Sequence, residues 1–180
     1  MILKVSKTKG VMSVIILSIA AGLIIGVFSL HMMNPLYTQR TLEDVRLYLQ
    51  NMSQYDTQKM DMFRESVLKH GKFVVFIWLL AFTPPGAFGV FILLILKSAG
   101  VGFTTALLIR LEGLAGLTTA WSLYIPQFFV LFLSYGWLAY HSILYGIAEK
   151  EKNMLGFGAK FFVSLCAVVL AAFIETYIAI

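Results

Sequence analysis

Along this chain hydrophobic positions come in long unbroken runs, with little of the apolar/polar alternation of a half-buried strand. Residues 11–30, VMSVIILSIAAGLIIGVFSL, hold 20 positions without a charge, which at 1.5 Å per helical residue matches a hydrocarbon core about 30 Å thick. Further uncharged runs cover 73–96, 98–109, 113–140 and 161–174. Alternating ten-residue segments are absent, and open sheets cannot satisfy their backbone in lipid, so the pattern predicts an all-α polytopic membrane helix bundle.

The breaks between runs set the expected elements. Residues 73–109 would make about 55 Å of helix, slightly short for two crossings and a turn. TPPGAFG at 83–89 interrupts them, since prolines remove backbone donors and glycines permit turns. This predicts a second and third span of about 62–83 and 87–109 joined at Pro84, Pro85 and Gly86. Pro126 suits a helix start, giving a fourth span of about 125–147. The charged segment 148–160 reads as a loop, followed by a fifth span of about 161–179. Together with 11–30 these five form a single membrane domain over 1–180.

Residues 31–61 are an external loop with an amphipathic segment. TLEDVRLYLQNM offers Thr41 as N-cap, Glu43 and Asp44 in the first turn, and Leu42, Val45, Leu49 and Met52 at helical spacing. A second such stretch from Lys59 either lies on the membrane surface or extends the second span outward.

Composition changes the picture only by sharpening it. The chain is 59% hydrophobic and 13% charged, with a mean hydropathy of +0.85, far from a soluble globule. Its formal charge is +5, but the basic residues flank apolar runs and form no stripe with aromatics, which favours anionic lipid headgroups over nucleic acid as partner. Lys4, Lys7 and Lys9 precede the first run, so the positive-inside rule predicts a cytoplasmic N-terminus and, with five spans, an extracytoplasmic C-terminus at the cell membrane.

Candidate chemistry is sparse. There is no H-E-x-x-H, C-x-x-C, P-loop or G-x-S-x-G pattern, so no catalytic residue, cofactor or metal is expected. His31, His70 and His141 read as interfacial or packing residues. Cys166 reads as a small lipid-compatible residue, and Trp78, Trp121, Tyr124, Trp137, Tyr140 and Tyr145 suit interfacial belts. Gly22 and Gly26 form a G-x-x-x-G face that would let a helix approach closely, although ordinary membrane glycine is the commoner explanation. Lys97 either snorkels from a span ending at 96 or sits deep in the bundle at a cost of about 2.5–3.5 kcal/mol. Glu175 has the same two readings, and Pro126-Gln127 offers a helix–helix hydrogen-bonding node.

LKSAGVGFTTALLI, then IPQFFV and AAFIETYI, resemble in their order the membrane-protein family of stage II sporulation protein M. The matching positions are Lys97, Gly100, Gly102 and Phe103, then Pro126 and Gln127, then Ile174 and Glu175. The resemblance implies a non-enzymatic five-span scaffold of Gram-positive, spore-forming bacteria. It would act with stage II sporulation proteins D and P, which remodel septal peptidoglycan during forespore engulfment. Two other readings stay open. One is an accessory protein of circular-bacteriocin maturation, immunity or ABC-type export. The other is a small transporter using the helix break and Lys97. Self-association is compatible with any of them.

Overall fold

The computed structural model describes residues 2–51, 59–83, 85–123, 125–147 and 153–177. Among them the chain forms seven helices and no strand: α1 Ile2–Met32, α2 Pro35–Asn51, α3 Lys59–Leu80, α4 Gly86–Glu112, α5 Ala115–Leu123, α6 Ile125–Ile147 and α7 Met154–Tyr177. Four stretches, Gly10–Met32, Gly86–Glu112, Pro126–Gly146 and Met154–Tyr177, are long and apolar enough to cross a membrane. Their outer faces carry Ile16, Leu17, Ile24, Phe28, Phe88, Ile92, Leu96, Phe129, Leu133, Phe162 and Leu170, all exposed. Apolar surface this extensive requires lipid around it, so the chain is an integral membrane protein built as an all-α bundle.

Side-chain pairings fix the helix directions. Gly22 of α1 meets Ile95 and Ser98 of α4, and Gly26 meets Ala99 and Phe103, so α1 and α4 run parallel. Leu80 lies against Gly89 and Lys97 reaches back to His70, so α3 and α4 are antiparallel. Trp78 stacks with Phe157 at one end of the bundle while Ser66 meets Glu175 toward the other, which makes α3 and α7 antiparallel. Tyr145 stacks on Phe157 with centroids 4.5 Å apart, and Ser134 donates to the Ser164 carbonyl at 3.3 Å, so α6 and α7 are antiparallel too. Val74, Ile77, Leu94, Leu131, Tyr135, Leu138 and Val168 fill the centre, each fully buried.

The parallel run of α1 and α4 requires α3 to carry the chain back along the bundle. Yet α3 is not among the four strongly apolar helices, because Lys59, Asp61, Arg64, Glu65, Lys69 and Lys72 lie within its first fourteen residues. It is one continuous helix from Lys59, so the charged stretch belongs to this traverse and is no separate surface segment. The turn into α4 falls at the expected break. Thr83 Oγ1 donates to the Leu80 carbonyl at 2.9 Å, Gly86 N donates to Thr83 at 3.0 Å, and a Cβ on Gly86 would strike the Leu80 carbonyl. Pro85 immediately precedes α4; Pro84 lies outside the described residues.

Two helix starts differ from expectation. α2 begins at Pro35, not after Thr41: Asn34 Oδ1 accepts from Leu36 N at 3.1 Å and Pro35 takes the first helical position. Thr41 is interior, its hydroxyl donating to the Tyr37 carbonyl at 2.9 Å. α7 begins at Met154, ahead of the expected 161, because Asn153 Oδ1 accepts from Gly156 N at 2.9 Å and its carbonyl from Phe157 N at 3.0 Å. α6 occupies 125–147, as the apolar run and Pro126 imply.

Candidate functional site

The charged side chains inside the bundle gather at one level. Lys97, in the middle of α4, places Nζ 3.2 Å from His70 Nδ1 on α3. The Tyr135 hydroxyl on α6 lies 3.2 Å from the same nitrogen. His70 Nε2 is 3.6 Å from Glu175 Oε2 on α7, and the Ser66 hydroxyl donates to that carboxylate oxygen. Lys97 Nζ also sits 5.7 Å from the centre of the Phe73 ring, which is tilted against Tyr135 at 5.0 Å. Four helices, α3, α4, α6 and α7, thus meet at one histidine.

The chemistry of the partners fixes the proton on His70. An ammonium only donates, so Nδ1 accepts from Lys97 and the ring hydrogen resides on Nε2, facing Glu175. Nδ1 has a single lone pair, and Lys97 and Tyr135 compete for it. The result is a charge-balanced line, ammonium to imidazole to carboxylate, in which the histidine relays polarity between two groups that do not touch. His70 is 2% exposed and Tyr135 fully buried, whereas the Glu175 side chain is 30% exposed. The line is therefore closed at its histidine centre and partly open at both charged ends, Lys97 and Glu175.

Lys97 does not end a span: it lies eleven residues into α4, and the snorkelling reading fails on that register. Glu175, likewise, points into the bundle toward α3. The histidine expectation holds for His141, whose ring contacts Trp137 at 4.8 Å and Tyr140 at 5.1 Å while Nδ1 meets Lys160 Nζ at 3.1 Å. His31 closes the last turn of α1. It fails for His70, which is the hub of the buried line.

The remaining sequence candidates separate into three groups. Gly22 and Gly26 form a packing face, contrary to the commoner explanation. A Cβ on Gly22 would fall on the Ser98 hydroxyl and Ile95 carbonyl, one on Gly26 on the Ala99 carbonyl and Phe103 amide, and one on Gly102 on the Leu23 carbonyl. Two backbones therefore touch along a small-residue seam. Gly100 faces outward into open space. Pro126 sits in the first turn of α6, where its missing N–H costs nothing, and Gln127 is 1% exposed with Oε1 unpartnered among the described residues. The helix–helix node expected at Pro126-Gln127 is thus not formed by that oxygen.

Sequence reasoning missed Ser66, His70 and Tyr135. Their one available signal was polarity at i, i+4 on α3, Ser66 and His70, continuing into Val74 and Ile77 on the same buried face. Among the described residues no three His, Cys, Asp or Glu side chains converge as metal ligands. No family model matches the chain, and no curated protein and no solved structure matches it.

Proposed function

We propose that this chain is a non-enzymatic multi-pass membrane scaffold resembling stage II sporulation protein M, with its N-terminus cytoplasmic and its C-terminus extracytoplasmic. The observation that carries the reading is the use made of the motif residues: Lys97 and Glu175 meet through His70 in the bundle interior, and Gly102 lies on the α1 seam. Three of the residues behind the resemblance, Lys97, Gly102 and Glu175, hold helices together, as a scaffold needs. The expected external segment 31–61 then serves as a surface for partners, stage II sporulation proteins D and P in the resembling family.

Cross-linking from that segment in intact cells should recover a membrane-anchored or extracytoplasmic partner, and deletion should arrest engulfment. Normal sporulation with lost immunity to a circular bacteriocin would select the accessory-protein reading instead. A small transporter is the second reading, favoured by the buried Lys97–His70–Glu175 line. Substrate or proton flux into proteoliposomes that Lys97→Met abolishes would establish it over the scaffold.

A further inference from the structure

The outward strip of α3 changes character within one turn. Asp61, Arg64, Glu65, Lys69 and Lys72 are exposed on it, with Leu68 among them, and below follow Val75, Phe76 and Leu79, also exposed. The uncharged stretch 11–30 of α1 supplies a ruler for depth. Gly22 is level with Ser98 and Ile95 of α4, and Lys97, beside them, reaches across to His70 and Phe73. Gly22 is about 16 Å from Val11 and about 12 Å from Leu30 along the helix. Lys69 and Lys72 flank His70 and Phe73 in sequence, so two exposed ammonium groups sit near the middle of the bilayer, Lys69 close enough to the interior line for its charge to act on Glu175.

Hydrocarbon tails cannot solvate them. A cation at that depth is tolerated by snorkelling, by local thinning of the leaflet, or by headgroups and water drawn inward. Neither lysine is ion-paired with a carboxylate among the described residues. The positive pair directly above a short apolar strip has the polarity of one lipid: a phosphate, then an acyl chain. We propose that this face of α3 binds a membrane phospholipid, its phosphate on Lys69 and Lys72 and a chain along Val75, Phe76 and Leu79. The leaflet is thereby thinned beside α3. This inference rests on the membrane placement of the bundle and not on the scaffold reading.

The test titrates the full-length protein in neutral detergent with phosphatidylglycerol or with diacylglycerol of the same chains, and counts bound lipid by native mass spectrometry. Phosphatidylglycerol should be retained and diacylglycerol lost. At about one kcal/mol per basic residue, K69Q/K72Q should weaken phosphatidylglycerol binding about thirtyfold, while K69R/K72R should retain it. Equal retention of diacylglycerol, or an unaltered K69Q/K72Q protein, would overturn the proposal. So would an efficient Leu68→Cys disulfide between two copies in native membranes, since a second copy would then occupy the face.

Discussion

Lys97 and Glu175 illustrate how a membrane interior makes charged residues interdependent. Each alone is expensive at that depth, and they are tolerated because His70 accepts from one and faces the other. Lys97→Met and Glu175→Gln should each lower the stability of the protein in detergent by about 1–2 kcal/mol. The double variant should lose less than the sum, with a coupling of about 1 kcal/mol measured by thermal unfolding; strict additivity would mean that the line contributes no joint stabilisation. A second contrast concerns glycines of one motif. Gly102→Ile should cost about 1–3 kcal/mol, since its side chain has no space against Leu23 of α1. Gly100→Ala meets nothing within 4 Å and should be neutral or slightly stabilising. Lys97 and Glu175 were legible in the sequence as charges within apolar runs. His70 was not, because a histidine beside Lys69 and Lys72 reads as the edge of a polar segment until α3 is registered against α4 and α7.

At the scale of elements, helices announced by long apolar runs or by proline were readable, and those announced by a cap were read late. α6 follows from its run and Pro126, and the α3–α4 turn follows from its prolines and Gly86. α2 and α7 depend on Asn34 and Asn153, whose side chains satisfy the first free amides. In the sequence Asn34 stood before a proline and Asn153 before a glycine-bearing stretch that resembles loop. Asn34→Ala should destabilise α2 by about 1 kcal/mol. The change should register as faster amide exchange over the first turns of α2, with the exchange of α4 and α6 unaltered; uniform acceleration across the bundle would contradict a local cap. α3 is the element that composition alone misjudges. Its charges from Asp61 onward follow one exposed strip, while Ser66, His70, Val74 and Ile77 are buried on the other side, so the helix is amphipathic across its width and also along its length.

For the whole molecule, the direction of each helix follows from the partners it touches, information that no single run contains. The seam of Gly22, Gly26, Ser98 and Gly102 makes α1 and α4 parallel, and this forces α3 to return the chain along the bundle despite its six charged residues. The bundle therefore depends on α3 being a fifth traverse. Single cysteines at Gln54, Gly113 and Asn153, introduced in a Cys166→Ser background and treated with a membrane-impermeant maleimide on intact cells, test it most directly. Gln54 and Gly113 should label from one side of the membrane and Asn153 only after the other side is opened. Gln54 and Gly113 on opposite sides would mean that α3 does not cross, that α1 and α4 run antiparallel, and that the Lys97–His70–Glu175 line does not form.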